Sequence, residues 1–107
     1  MDLVVENLVL EHLADIRGLF AEVRRVLRPG GVFLMCELHP YRQLMGAQAR
    51  FIDPDTQEEL LVEAYPHTIA EFVDAALGAG LTLLRIDEAA ADDAGFPRIF
   101  SLTAVAA

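Results

Sequence analysis

The spacing of apolar positions changes several times along the chain, and each change predicts a new element. Residues 2–5 form a short apolar run that is typical of a buried parallel strand. Apolar residues then recur at helical spacing after Asp15, which predicts an amphipathic helix with Asp15 as its N-cap. Its predicted buried face contains Ile16, Leu19, Phe20, Val23, Val26 and Leu27. Pro29-Gly30-Gly31 ends this helix because proline blocks its continuation and glycine accepts unusual dihedral angles.

The middle of the chain predicts a second strand and a hairpin. Residues Val32 to Leu38 are nearly all apolar, which predicts a strand that is covered on both faces. A strand, a helix and a second strand in this order require a parallel pair with a right-handed crossover. The turn-rich residues 54–57 separate two extended stretches, so they predict an irregular hairpin insert over about residues 50–66.

The last third of the chain predicts a helix and two closing strands. Thr68-Ile69-Ala70-Glu71 has the pattern of a capping box. The helix that follows has a predicted buried face of Ile69, Phe72, Val73, Ala76 and Leu77. Strands at 81–86 and 98–105 are joined by a connection without a helical pattern, so they should be antiparallel neighbours. Residues 1–107 are therefore predicted to form one α/β domain with a mixed sheet.

Composition and charge narrow the classes of partner. Hydrophobic residues make up 54% of the 107 residues, which indicates a folded domain. The net charge is −9 and every basic residue is arginine, so nucleic acid is not an expected partner. No apolar run approaches the ~20 residues of a membrane span, and a cytoplasmic protein without a membrane partner is expected. The single cysteine, Cys36, excludes an internal disulfide, and its apolar surroundings predict an inert buried thiol.

One long segment resembles a known family. "DLVVENLVLEHLADIRGLFAEVRRVLRPGGVFLMCELHP" resembles the fourth through the fifth strand of class I S-adenosylmethionine-dependent methyltransferases of the small-molecule type. The Leu-Arg-Pro-Gly-Gly before an apolar strand is the most diagnostic part, and the resemblance continues to the final strand pair. It implies strands 4 to 7 of a sheet with the order 3-2-1-4-5-7-6, in which strand 7 is antiparallel. The chain thus resembles the C-terminal half of a Rossmann-like methyltransferase, in a truncated form.

The resemblance implies S-adenosylmethionine as the cofactor of the complete fold. The N-terminal half of the family supplies a Gly-x-Gly turn between a strand and a helix N-terminus. The Gly78-Ala79-Gly80 of this chain instead follows a predicted helix and precedes a strand, which predicts a helix end. The cofactor is therefore not expected to bind this chain alone. The function implied is part of a methyltransferase that is inactive by itself; the alternative is a non-catalytic dimerisation or docking module derived from one.

Ligands of open α/β sheets bind beyond the carboxyl ends of the strands. By resemblance, Asn7 and Leu8 would border the methionine part of the cofactor, although Asn7 could merely cap a turn. His12 is a candidate base on the substrate side, or a polar residue satisfied at a helix edge. Glu37 and His39 alternate along a strand end, so both could face the cleft as a base pair, or simply form a solvated strand exit.

The candidate residues for a small-molecule acceptor lie mostly in the hairpin insert. Arg50, Tyr65 and His67 occupy places where the family has substrate-covering elements, or they belong to an ordinary surface loop with a structural tyrosine. The fourth candidate, Tyr41, follows the second strand, after Glu37 and His39. The three histidines match no local ligand motif, so a metal site is not expected.

The resemblance also predicts an assembly. In the family, strand 1 lies beside strand 4. Without it, the strand at residues 2–5 would present unpaired backbone groups along an apolar edge. We expect a homodimer in which two copies of this strand pair about a two-fold axis, or a partner polypeptide that supplies the missing half.

Overall fold

The computed structural model describes residues 1–44, 50–61 and 64–107. No helix in these ranges is long and apolar enough to cross a membrane. The elements in chain order are β1 (Leu3–Asn7), a 3₁₀ turn (Leu10–His12), α1 (Arg17–Val26), β2 (Val32–Leu38), α2 (Pro40–Leu44), β3 (Arg50–Ile52), β4 (Glu59–Leu61), α3 (Ile69–Gly78), β5 (Leu81–Ala89) and β6 (Ile99–Ala106).

The main sheet has four strands in the order β1-β2-β6-β5. β1 and β2 are parallel, with Leu3 opposite Val32 and Asn7 opposite Cys36. β6 is antiparallel to both of its neighbours, β2 and β5. The mixed sheet and its antiparallel last strand are therefore confirmed. β3 and β4 pair with each other as a separate antiparallel hairpin, as the turn-rich sequence predicts.

The helices α1 and α3 pack against one face of this sheet. Over β2, Phe20 of α1 contacts Phe33 edge to face, with ring centroids 5.6 Å apart. Over β6, on the same face of the sheet, Phe72 of α3 stacks on Phe100 with ring centroids 5.5 Å apart. All four rings are almost completely buried. Since burial of a phenylalanine contributes about 1.5–3 kcal/mol, these contacts account for much of the stability of the helix-covered face.

The opposite face of the sheet is open in the part of the chain that the structure describes. Val5 and Leu34 lie opposite each other on this face and are 60% and 40% exposed. Leu3, on the same face, is 56% exposed. The prediction that Val32 to Leu38 is covered on both faces is therefore wrong for these residues. The strand is apolar on both sides, but α1 and α3 both lie on the side of Phe33 and Met35.

The N-terminus of α1 differs from the prediction by one residue. Ile16 occupies the N-cap position and makes no side-chain cap bond. Asp15 instead accepts the backbone N–H of Arg17 at 3.0 Å, as short acidic side chains do just before a helix. Hydrogen bonds from Arg17 also lower the pKa of the Asp15 carboxyl to about 2. Asp15 therefore accepts a backbone N–H at the start of the helix, as predicted, but it lies one position before the N-cap.

The N-terminus of α3 has the predicted capping box. The Glu71 N–H donates to Thr68 Oγ1 at 3.1 Å, and the Thr68 N–H donates to Glu71 Oε1 at 3.4 Å. The predicted buried face is wrong at one position, since Leu77 is 54% exposed while Ala75 is buried. The helix ends at Gly78, and Gly80 has a φ of +87°, so the prediction of a helix end is confirmed.

The Pro-Gly-Gly segment joins four elements at one point. The Gly30 N–H donates to Ala106 O, and the Ala106 N–H donates to Gly31 O, which ties the turn to β6. The Arg28 N–H donates to Met1 O, which ties it to the start of β1. A Cβ on Gly31 would lie 2.9 Å from Arg28 O and 3.0 Å from Met1 O. Only glycine lets these backbones approach so closely.

This close approach predicts opposite effects for two alanine substitutions. Gly31→Ala should lower the free energy of unfolding by about 1–3 kcal/mol, because two of its three nearest contacts are backbone atoms that cannot readily move aside. Gly18→Ala is the matched control: it lies in α1 with open space around it, and it should stabilise the chain by up to about 1 kcal/mol. Urea unfolding followed by circular dichroism measures both, and a Gly31→Ala chain as stable as wild type would contradict the close approach.

Candidate active site

Polar side chains gather where β1 and β2 end. Glu6 and Asn7 are the last two residues of β1, Glu37 is the penultimate residue of β2, and His39 follows it directly. The parallel register places Asn7 opposite Cys36, so both carboxyl ends reach the same edge of the sheet. This is the edge at which open α/β sheets bind ligands.

Two of these groups, Glu6 and Glu37, form a buried carboxyl pair. They are 8% and 2% exposed. The Val9 N–H donates to Glu6 Oε1 at 2.8 Å and to Glu37 Oε2 at 3.0 Å, and the Glu11 N–H donates to Glu37 Oε1 at 3.2 Å. Burial, together with the hydrogen bond and the charge of Glu37, raises the pKa of Glu6 to about 8. This raised pKa favours the protonated form of Glu6 at neutral pH.

The turn above this pair contains the residues predicted to border a cofactor. Leu8 has a φ of +57°, a left-handed conformation that costs about 1–2 kcal/mol for a residue with a Cβ. Its N–H donates to Cys36 O at 2.9 Å. Asn7 and Leu8 are both exposed at the edge. His12 ends the turn with its side chain 39% exposed and its Nε2 3.5 Å from Glu11 Oε1.

His39 is buried and holds the start of α2. Its Nδ1 accepts the backbone N–H of Tyr41 at 3.0 Å, so the ring proton lies on Nε2. Nε2 is 2.5 Å from Glu88 Oε2 and donates to it. Glu37 and His39 share the helix-covered face, as their alternation predicts, but the carboxylate in contact with His39 is Glu88 of β5. Both candidate bases are thus engaged in holding backbone segments together.

Two aromatic rings lie exposed beside His39. Tyr41 of α2 and Phe96 stack with centroids 4.9 Å apart, and they are 39% and 42% exposed. Arg42 donates to Asp92 Oδ2 at 3.1 Å, while Asp92 Oδ1 accepts the N–H groups of Ala94 and Phe96. These contacts fasten the connection between β5 and β6, residues 90–98, to α2.

The segment after the hairpin lies along the turn. The Tyr65 N–H donates to Glu11 O at 2.6 Å. His67 is buried, with Nε2 2.6 Å from Leu13 O and Nδ1 2.8 Å from Glu71 Oε2. Because both partners are acceptors, a ring protonated on both nitrogens donates to both. The backbone of Arg50 lies in β3, while its side chain is outside the described residues.

Sequence reasoning missed three residues of this region, Glu88, Asp92 and Phe96, and it gave no role to Glu6 at the end of the first strand. Glu6 carried a signal, since an acid directly after a predicted buried strand requires a partner if it is buried as well. Phe96 also carried one, as the single aromatic residue in an acidic, alanine-rich connection. Glu88 and Asp92 could not be found in this way, because their partners lie about fifty positions away in the chain.

The Cys36 thiol lies on β2 near the two acids Glu6 and Glu37, and its surroundings decide its reactivity. Cys36 is half-buried rather than buried, and burial, together with the nearby Glu37 and Glu6, raises the pKa of its thiol. It is therefore a poor nucleophile at neutral pH.

Across residues 1–44, 50–61 and 64–107, no three histidine, cysteine or acidic residues are grouped to hold a metal ion. A cleft of about 700 Å³ between α1 and α3 includes His67 but not Asn7, Glu37 or His39.

Comparisons with known proteins bear on the fold of the chain. The family model described as "Methyltransferase domain" matches residues 1–35. An uncharacterized methyltransferase of Emericella nidulans is 31% identical over 87 residues, which are 79% of this chain and 29% of that protein. A structure from Listeria monocytogenes, described as a "putative S-adenosylmethionine dependent methyltransferase", has a TM-score of 0.80 at 18% identity, over 99% of this chain and 61% of the neighbour. The glycopeptide N-methyltransferase MtfA, complexed with S-adenosyl-L-homocysteine, has a TM-score of 0.64 at 22% identity, over 99% and 54%.

The chain has the Rossmann-like fold of the S-adenosylmethionine-dependent methyltransferases. It is a partial form of that fold, and the resemblance of its sequence to the C-terminal half of a class I methyltransferase is confirmed. The chain spans less than two thirds of the length of each of these three relatives.

The hydrogen bonds that Asp92 accepts within residues 90–98 predict that Asp92 and its neighbour Asp93 respond differently to alanine substitution. Asp92→Ala should raise the hydrogen-exchange rates of the Ala94 and Phe96 amides by about tenfold or more, because each loses its acceptor. The pKa of Asp92 is lowered chiefly by the Phe96 N–H, so this fastening is present at neutral pH and is lost as pH falls through the lowered pKa. Asp93→Ala, an exposed neighbour, is the control. Equal exchange in both variants would contradict the role of Asp92.

Proposed function

We propose that this chain is the C-terminal part of a methyltransferase that moves a methyl group from S-adenosylmethionine to a small molecule in the cytoplasm. The observation that carries the proposal is the exposed turn Asn7–Leu8 at the carboxyl end of β1, in a fold shared with enzymes that use this cofactor. MtfA, one such enzyme, was solved with the product form of the cofactor.

Asn7 and Leu8 are the proposed contacts for the methionine part of the cofactor. The left-handed Leu8 turns the backbone at the sheet edge, and both side chains are exposed there. The nucleoside part needs a glycine turn between a strand and a helix N-terminus. The Gly78-Ala79-Gly80 of this chain ends α3 instead, so we propose that a separate segment supplies that turn.

Methyl transfer requires alignment of the acceptor, the methyl carbon and the leaving sulfur, and sometimes removal of a proton from the acceptor. His12 is the proposed base, because its imidazole is half-exposed at the open edge of the sheet. Glu37 would act on the acceptor only after releasing the amides of Val9 and Glu11. His39 would likewise have to release the Tyr41 amide and the Glu88 carboxylate.

The stacked rings of Tyr41 and Phe96 are the proposed platform for the acceptor. Their exposed faces favour a flat apolar or aromatic small molecule. Tyr65 and His67 would close the other side of the site, where the segment after the hairpin lies on Glu11 and Leu13. Arg50 would join them from the hairpin.

Calorimetric titration with S-adenosylhomocysteine tests the proposed function. We expect no heat of binding with the chain alone, and binding after addition of a polypeptide with the strand–glycine turn–helix unit of the same fold. In this mixture, Asn7→Ala should weaken binding by about tenfold or more, since about 1.4 kcal/mol is lost with one good polar contact.

Thr82→Ala, an exposed change on β5, is the control and should bind as wild type does. Tight binding by the chain alone would show that the proposed division of the cofactor site is wrong. Equal binding by Asn7→Ala and Thr82→Ala would remove Asn7 from it.

A second candidate function is a dimerisation or docking module derived from a methyltransferase. It is favoured by the open apolar face of Leu3, Val5 and Leu34, and by the position of β1 at the edge of the described sheet. An apolar face next to an edge strand favours pairing with another chain. We propose a second copy of this chain as the occupant, with the two β1 strands paired, and a polypeptide bearing the N-terminal half of the fold as the competitor.

Light scattering at increasing protein concentration tests this pairing. Wild type should reach the mass of a dimer, and Val5→Lys should shift the dissociation constant upward by about tenfold or more, because a charge enters the apolar face. Leu77→Lys is the matched control, since it places the same charge on an exposed leucine of α3. A monomeric wild type, or equal effects of the two lysines, would contradict pairing through β1.

A further inference from the structure

The carboxyl pair Glu6–Glu37 lies directly beneath the turn that would border the cofactor. Both side chains point to the helix-covered face from neighbouring parallel strands, and both are more than nine-tenths buried. The same backbone N–H, that of Val9, donates to one oxygen of each carboxyl. A single amide that bridges two acids fixes their oxygens close together.

Two carboxylates in such a place cannot both be charged at low cost. Burial removes the water that would screen them, and like charges at contact distance repel strongly. One remaining oxygen of the pair, Glu6 Oε2, is buried without another hydrogen-bond partner. A proton between Glu6 and Glu37 supplies that partner and removes one of the two charges.

We infer that Glu6 and Glu37 are a positioning pair that shares one proton and thereby holds the turn of residues 7–11 in the shape that faces the cofactor. The inference rests on the proposed function in one respect only, which is the assignment of Asn7 and Leu8 to the cofactor. The sharing of the proton and its effect on the turn are independent of that assignment.

The hydrogen bonds show how the pair acts on Leu8. Val9 and Glu11, on the C-terminal side of Leu8, donate their amides to the pair, and Leu8 itself donates to Cys36 O on β2. These bonds offset the cost of the left-handed Leu8. Glu37 contributes two of the acceptors, and Glu6 contributes the third and holds the proton that lets Glu37 remain in place.

The surrounding groups do not neutralise a second charge. The Glu11 backbone contacts Glu37, and Cys36 is its neighbour on β2; burial, together with Glu37 and Glu6, raises the pKa of the Cys36 thiol. His12 lies 3.5 Å from Glu11 and is half-exposed. Loss of the proton therefore places a second negative charge in the pair, and the single Val9 amide must then bridge two charged acids.

The direction of the pH effect follows from the raised pKa of Glu6. The folded chain holds this proton up to about pH 8, whereas the unfolded chain releases it near 4.5. Stability therefore falls as pH rises from about 4.5 to about 8, and it becomes level above that range. The turn should lose its fixed shape as pH passes through the upper end of this window.

Carbon-detected nuclear magnetic resonance of the full chain tests the inference between about pH 5 and about pH 10. The side-chain carboxyl carbon of Glu6 and the backbone carbonyl carbons of Leu8 and Val9 should titrate together, with one midpoint near 8. Glu6→Gln should abolish this transition at Leu8 and Val9, because the amide keeps a donor and an acceptor but has no proton to lose. Glu58→Gln, an exposed glutamate in the turn between β3 and β4, is the matched control and should keep the transition.

Two results would overturn the inference. One is the absence of any Glu6 transition above about pH 5, which would show that Glu6 is an ordinary acid. The other is a Glu6 transition near 8 that leaves Leu8 and Val9 unchanged, which would show a buried acid without a positioning role. The wild-type titration decides both points even if Glu6→Gln fails to fold.

A second measurement separates this inference from the proposed function. In the mixture that binds S-adenosylhomocysteine, the affinity of wild type should fall by about tenfold as pH rises from 7 to about 9, while that of Glu6→Gln stays level. An affinity of wild type that does not change with pH would show that the pair does not position a cofactor contact. If the carbon titration is found but no mixture binds the ligand, the positioning of the turn stands and the proposed function fails.

Discussion

The parallel pairing of β1 with β2 is the constraint on which the candidate site depends. Because both strands run in one direction, their polar ends reach the same edge, and Glu6 and Glu37 come to lie under one turn. An antiparallel pairing would separate these acids by the length of the strand. The pairing is in turn held at its other end by the Gly30-Gly31 junction, where the starts of both strands and the end of β6 meet.

The features that were predicted correctly from the sequence are local ones. The capping box at Thr68, the end of α3 at Gly78 and the bounds of β2 each depend on residues within a few positions of one another. The sheet order was also predicted, but through the family resemblance rather than through periodicity alone. The error at the start of α1 is of the same local kind, since an aspartate can serve a helix from just outside its cap.

The candidate site was predicted less completely because its contacts are distant in sequence. Position along the strands indicated that Glu37 and His39 share a face, yet their partners come from the turn after β1 and from β5. The same is true of the open face: the apolar pattern of β2 indicates burial on both sides, while only the packing of α1 and α3 shows which side they cover. A periodic pattern shows which positions avoid water, and not what covers them.

The double fastening of residues 90–98 to α2 has a consequence for variation among related proteins. The ring pair Tyr41–Phe96 and the ion pair Arg42–Asp92 join the same two segments side by side. A change at one of these four positions alone leaves an unsatisfied partner, whereas a simultaneous exchange can preserve the junction. In an alignment of close homologues, positions 41 and 96 should therefore covary, and so should positions 42 and 92.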